Sequence, residues 1–389
     1  MYFFIFFFMI LCKFCTSKMT EIIELLAAAV FAASWALNCL KTNPSLSVTF
    51  AVGGCCLYVL FKKSKRFLIR IYSVGLLIIA LSALYFYGAV YLDKGYANIE
   101  QIAKGNFYCL KYETKKRKLF ATDMNNSTVH IFDADNLCAN PLRIKIPTGE
   151  LEHIAINADK NELYHFDRTD EVLLVYDLET MQLKKKSSRY LGGQWSARLA
   201  FDNHGKTIAI TREKGGLWLV DMGSLAILSK YDIPKGTESI VFDGNSGSYA
   251  ISFCDWIGKT LFIYPKEKKL IAKNTLILQG ALAVSEKNRE IYLALPLEGA
   301  IAVYDADDKI QKQKIPTVFG VRALAYDEKN NLIFAGSFCT GYIDIIDLSR
   351  MLRVARVFVG PHLREICLNS FKREAFVSSK SGGIYKFNY

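Results

Sequence analysis

His153-Ile154-Ala155-Ile156, a polar turn at Asn157–Asn161, Glu162-Leu163-Tyr164, a second turn and then Val172-Leu173-Leu174-Val175-Tyr176-Asp177-Leu178 read as three short strands divided by tight turns. The close of the third strand, an aromatic or aliphatic residue followed by Asp, returns along the chain. It is found at Phe132-Asp133, Tyr176-Asp177, Val220-Asp221, Tyr304-Asp305 and Ile346-Asp347, with Tyr264-Pro265 and Phe387-Asn388 as variants. Successive intervals of 44, 44, 44, 40, 42 and 41 residues mark seven units. A period of roughly 40–45 residues carrying several short strands is the signature of a β-propeller. The last unit stops at Phe387-Asn388-Tyr389, directly after its third strand, and lacks a fourth. Ala97–Ala103 aligns with fourth strands such as Arg353–Val359, so the sequence predicts an all-β, seven-bladed propeller over residues 93–389, closed by a strand at about 97–103. Closure of this kind pairs edges that would otherwise be open. The competing reading, an open β-sandwich, would make seven anchors and two complementary ends accidental.

The rest of the 389 residues has a different character. The chain is 51% hydrophobic and 13% aromatic, with a mean hydropathy of +0.16, which excludes a disordered chain. Residues 1–92 hold 8 Lys and Arg against 2 Asp and Glu, and the remainder holds 41 against 35. Three stretches, at about 22–40, 46–61 and 71–92, approach the roughly 20 apolar residues that a transmembrane helix requires. The middle one is the shortest. Lys62-Lys63-Ser64-Lys65-Arg66 separates the second and third stretches, whereas the first connection carries only Lys41. The positive-inside rule then keeps the basic loop in the cytoplasm and sends everything after Leu92 to the outer side. The expectation is an integral membrane protein with a helical region at 1–92 and an extracytoplasmic propeller, periplasmic or external in a bacterium. Tyr2–Leu11 is too short to span and lacks the basic flank of a signal peptide, and Met19 is an alternative start.

Leu119-Phe120-Ala121-Thr122-Asp123, Thr128–Asp133, Ile144–Gly149 and later Gly341–Leu348 followed by Val357-Phe358-Val359-Gly360-Pro361 resemble the repeat words of YVTN-type β-propellers, which are related to lactonase-like and NHL-type propellers. The resemblance covers about 97–389. It implies the fold, and it implies function only broadly, because such propellers serve as binding platforms, surface proteins and occasionally enzymes. Blade four departs from the pattern at Tyr264-Pro265, which leaves the outer edge of that blade open to question.

In a propeller, the first strand of each blade lines the axial channel, and its opening residues face the side where ligands usually enter. Aligning the units places Tyr108, Glu152, Ala197, Glu238, Gly280, Arg322 and Arg364 at one equivalent position. Cys109, His153, Arg198, Ser239, Ala281, Ala323 and Glu365 come next. The candidate ligand-binding set is therefore Glu152, His153, Arg198, Glu238, Arg322, Arg364 and Glu365. Arginines there suit a carboxylate or phosphate held bidentately, and a carboxylate with His153 suits general-base work of the lactonase-like kind. The simpler alternative is a ring of mixed charges pairing around a wet channel.

Nothing else in the sequence announces a reaction. The remaining histidines, His130, His165, His204 and His362, lack the short spacing of a metal motif, and no nucleophile elbow, P-loop or dinucleotide fingerprint appears. No catalytic set, metal or cofactor is expected. Five cysteines, Cys109, Cys138, Cys254, Cys339 and Cys367, fall in the repeat region and read as free thiols, with Cys254 and Cys339 in different blades. The basic runs Lys115–Lys118 and Lys184–Lys186 sit in turns and do not indicate a nucleic-acid partner, although they suit anionic lipid or polysaccharide. The sequence thus points to a membrane-anchored binding or assembly module for a protein or a cell-envelope component. The rival is a lactonase-like hydrolase or small-ligand binder at the channel mouth, using Glu152, His153, Glu238, Arg322 and Arg364. A third reading makes the helices the working part and the propeller a cap.

Overall fold

Two turn chemistries repeat around the ring and account for the sequence period. Where the first strand of a blade ends, a short polar side chain accepts backbone N–H groups of the turn that follows. Asn157 accepts from Lys160 at 3.0 Å, Asp243 from Asn245 at 3.2 Å, Ser285 from Asn288 at 2.9 Å and Asp327 from Asn330 at 3.1 Å. Glu113, Asp202 and Asn369 do the same in the other three blades. Where the third strand ends, the recurrent Asp caps the turn to the fourth, as Asp177 does for Glu179 at 2.9 Å and Asp221 for Ser224 at 2.7 Å. The anchor is therefore a turn cap, and it recurs because each blade must make the same reversal.

The computed structural model describes residues 99–389 except 147–150, 168, 191–196, 203–205, 213–214, 255–257 and 276–277. They form seven four-stranded antiparallel sheets. The innermost strands are Phe107–Glu113, Ile154–Asn157, Ala197–Phe201, Thr237–Asp243, Leu282–Ser285, Val321–Asp327 and Leu363–Asn369, one for each of blades one to seven. Each neighbours the next, and the last neighbours the first, which closes the ring. Blade seven takes its fourth strand from Glu100–Ala103, which pairs antiparallel with Gly383–Asn388. No helix occurs among the described residues, and the expected transmembrane helices at 22–40, 46–61 and 71–92 lie outside them.

The core sits between blades. Middle strands such as Glu162–Asp167 and Glu374–Ser379 are buried along their whole length, because both faces of each sheet are covered by its neighbours. Phe120, Val129 and Ile131 of blade one pack with Leu163, Leu174 and Tyr176 of blade two, and equivalent clusters follow at the other interfaces. The edge of blade four is intact despite Tyr264-Pro265. Lys269–Asn274 pairs with Lys259–Tyr264 over six positions, and Lys268 N donates to Pro265 O to close the turn. Fourth strands are half-exposed, and six of them carry an exposed aliphatic within a residue of their start: Leu142, Leu183, Leu228, Leu270, Ile310 and Leu352.

Candidate functional site: the axial channel mouth

A β-bulge delivers four of the side chains in the channel. In blade four Thr237 pairs with Phe253 and Ser239 with Ser252, so Glu238 has no cross-strand partner. Arg322 stands in the same place between Val321 and Ala323, and Arg364 between Leu363 and Glu365. In blade one, Tyr108 and Cys109 together oppose the single step at Thr122. An extra residue bends the strand and redirects its side chain, and here Tyr108, Glu238, Arg322 and Arg364 all line the axial cavity. Hydroxyls of the second strands stitch these positions across blades. Thr122 Oγ1 donates to Glu152 O at 3.0 Å, Ser252 Oγ to Gly280 O at 2.7 Å and Ser378 Oγ to Tyr108 O at 3.0 Å.

The cavity has a volume of about 490 Å³. Across it, Arg322 grips Glu238 at two points, Nε to Oε1 and Nη2 to Oε2, both 2.8 Å. Arg198 Nη2 lies 3.6 Å from the same carboxylate, and its Nη1 donates to the His153 ring. Glu365 accepts from Leu110 N at 2.8 Å and pairs with Lys111. Arg364 is different. Its guanidinium lies 4.7 Å from the Tyr108 ring centre and 4.9 Å from that of Phe338, and among the described residues it makes no ion pair or hydrogen bond. Its Nε is buried without a partner, as is the Nε of Arg198. A guanidinium stacked on rings commits its faces and keeps its N–H edge for an acceptor lying in the same plane.

The electrostatics follow this pairing. Burial would raise the Glu238 carboxyl, but Arg322 and Arg198 outweigh it and hold that carboxyl below the usual carboxylate range. Burial opposes the charge on Arg322, and Glu238 more than restores it. Arg364 moves the other way, lowered by burial and by the neighbouring Arg322 and Arg198. Burial, together with Arg198, Lys111 and Arg364, drives His153 well below its ordinary value, so the ring is neutral at pH 7. Burial pushes the Cys109 thiol up to about 12, with Glu365 adding to it, which makes that sulfur a poor nucleophile.

Six of the seven sequence-derived residues, His153, Arg198, Glu238, Arg322, Arg364 and Glu365, line one cavity. Glu152 does not line it. It is half-buried beside the mouth, and its charge favours the ionised form of Arg198. The alignment held Tyr108 but gave it no role, and Lys111 and Phe338 were missed. Lys111 is a lone cation in the otherwise apolar-lined first strand of blade one, a signal that could have found it, whereas Phe338 sits in a turn with nothing to mark it. Cys109, Cys138, Cys254, Cys339 and Cys367 are all free thiols. Among the described residues, no three His, Cys, Asp or Glu side chains converge as a metal site would require.

A seven-bladed β-propeller whose axial channel is lined by paired charges and an arginine stacked on two rings is the class of protein that fold and geometry define. No family model and no curated protein matches the chain, so the YVTN-type resemblance rests on repeat words alone. Among solved structures the chain is similar to one described as Kuenenia stuttgartiensis hydrazine synthase. The TM-score is 0.63 at 13% identity, covering 75% of this chain and 97% of that one. At that identity the likeness shows a shared propeller fold.

Proposed function

We propose that the protein is a membrane-anchored, extracytoplasmic binding module whose channel mouth captures an anionic group, carboxylate or phosphate, presented by a partner protein or cell-envelope component. The observation that carries this reading is Arg364. Glu238 occupies Arg322 and part of Arg198, and Glu365 occupies Lys111, while Arg364 is held on two aromatic rings with its N–H edge uncommitted. A cation desolvated to this degree without a counter-ion is costly, and an incoming anion would relieve that cost. The anchor rests on the apolar stretches and basic loop of residues 1–92. The hydrolase alternative relies on His153 as a base, and it receives less support because the ring already accepts from Arg198 and its basicity is depressed.

The test is mild crosslinking in native membranes, purification of the full-length protein and identification of co-purifying species, with wild type beside Arg364→Met. A stoichiometric partner lost in the variant supports the reading. A partner retained in full by the variant, or no partner alongside a hydrolytic activity of the purified protein, overturns it.

A further inference from the structure

The face opposite the channel mouth carries a second feature that binding at the mouth does not use. Phe371, at the tip of the turn between the first and second strands of blade seven, is the most exposed large hydrophobic residue described, at 72%. The neighbouring blades carry exposed leucines at the start of their fourth strands, Leu352 on blade six and Leu142 on blade one. The corresponding turns of blades six, seven and one, residues 328–331, 370–373 and 114–117, hold six Lys and Arg against one acid, Glu328. Asp135, Asp159 and Glu179 from adjoining turns neutralise part of that charge. Lys329 remains, its ammonium 4.4 Å from the centre of the Phe371 ring, without a carboxylate partner among the described residues.

Chain direction supplies the second observation. Glu100 pairs with Lys386, near the end of the strand Gly383–Asn388, and Asn388 pairs with Glu374, which directly follows the Phe371 turn. The strand Glu100–Ala103 therefore begins on the Phe371 face and runs towards the channel-mouth face. The chain arrives at that face, on that blade, eight residues after the apolar stretch that ends at Leu92. Fully extended, eight residues span at most about 29 Å, so the connection from Leu92 to Glu100 is short.

We propose that the sector of blades six, seven and one around Phe371 rests on the lipid surface, with Phe371 inserted at the headgroup boundary and Lys329 and the neighbouring basic turns on the phosphates. An exposed aromatic ringed by cations has the chemistry of an interfacial anchor. The channel mouth then points away from the membrane, towards soluble partners. The proposal rests on the anchor reading above.

Full-length protein carrying Phe371→Trp, Phe338→Trp or neither would be reconstituted in nanodiscs of phosphatidylcholine and phosphatidylglycerol at 7:3, with and without brominated acyl chains. Phe338 reports the opposite face. The expected result is tryptophan quenching by bromolipid in Phe371→Trp about two-fold above the wild-type background, with Phe338→Trp at background. Phe371→Trp remaining at background while the protein sits in the disc overturns the lipid-facing surface but leaves the anchor standing. A blue-shifted emission without quenching also overturns it, by showing a protein contact instead. Failure of the wild-type chain to incorporate into discs at all overturns the anchor reading and this proposal with it.

Discussion

Arg322 and Glu238 belong to blades that are not neighbours, yet they form a two-point ion pair with both contacts at 2.8 Å. Blade five lies between them and offers Gly280 at the equivalent position, a residue whose lack of a side chain lets the Arg322 backbone approach closely. The pair thus ties blade four to blade six across the channel and sets which cations at the mouth stay available.

The first expectation concerns that tie. Glu238→Gln leaves Arg322 and Arg198 without their shared carboxylate in a site where Glu238 is 10% exposed. Breaking one partner of a buried pair costs about 3 kcal/mol, which for a domain of this size lowers Tm by roughly 6–12 °C. Replacing both residues, Glu238→Leu with Arg322→Met, should cost less than the single change. Thermal melts of the three variants decide it: equal Tm for wild type and Glu238→Gln would show that the pair is solvated and energetically idle.

A second expectation follows from His153. Its folded pKa lies well below the ordinary histidine value of about 6.5, so below that pH the unfolded chain takes up a proton that the folded chain refuses. Stability therefore falls as pH drops from about 6.5, with a slope that approaches ~1.4 kcal/mol per pH unit for one proton. His130, also lowered by burial and by Arg143, adds to the same window. Glu238, whose carboxyl is depressed, contributes in full above its unfolded value, and that contribution is lost only at lower pH, as its folded pKa is crossed. Denaturant melts between pH 5 and 6.5 should show a shallower slope for His153→Gln than for wild type. Parallel curves would refute the assignment.

How far the sequence could be read depended on whether a feature repeats. The terminal Asp of the third strands was legible because each caps the same turn, and the register of the first strands followed from it. The alignment therefore places Arg198, Glu238, Arg322, Arg364 and Glu365 at equivalent channel positions, and the structure sets all five around one cavity. The bulge at Glu238, Arg322 and Arg364 left no trace, since one added residue lies within the scatter of a period that already varies from 40 to 44. Contacts between individual side chains were also invisible. Nothing periodic links Lys111 to Glu365, or predicts that Phe338 would meet Arg364, because each occurs once and depends on the closed ring. Glu152 differs from Glu238 because its blade lacks the bulge seen at Glu238 and the strand there starts only at Ile154.

A third expectation tests the close approach of blade six to Gly280 in blade five. A Cβ on Gly280 would lie 2.8 Å from the Ala294 Cβ and 2.9 Å from Arg322 O, both inside normal contact. The backbone of blade six would have to withdraw, carrying Arg322 with it. Gly280→Ala should destabilise by about 1–3 kcal/mol through overpacking. It should also weaken the coupling between Glu238 and Arg322 in a double-mutant cycle. If the variant melts like wild type with the coupling unchanged, the close approach is not what holds Arg322 in reach.

The last expectation lies away from the channel. Lys309 of blade five and Asp243 of blade four form an ion pair at 3.1 Å with no exposure on either side chain. The ammonium also stands 5.3 Å from the ring centre of Phe262 and 5.7 Å from that of Tyr264, the residue that replaces the recurrent Asp in blade four. Asp243 is the turn cap of its own blade, so it cannot be surrendered without losing that turn. Burial lowers the Lys309 pKa, and Asp243 works against that burial. Lys309→Ala leaves a carboxylate stranded in the interface and should cost about 3–5 kcal/mol. Pairing Lys309→Met with Asp243→Asn keeps an amide acceptor for the cap, removes both charges and should recover much of that loss. Lys115→Ala removes an ion pair with Asp159 in which the two side chains are 69% and 84% exposed, and should leave the melt unchanged. A Lys309→Ala protein as stable as the Lys115→Ala control would mean that water reaches the Asp243 carboxylate, and the interface between blades four and five would then be looser than its packing implies.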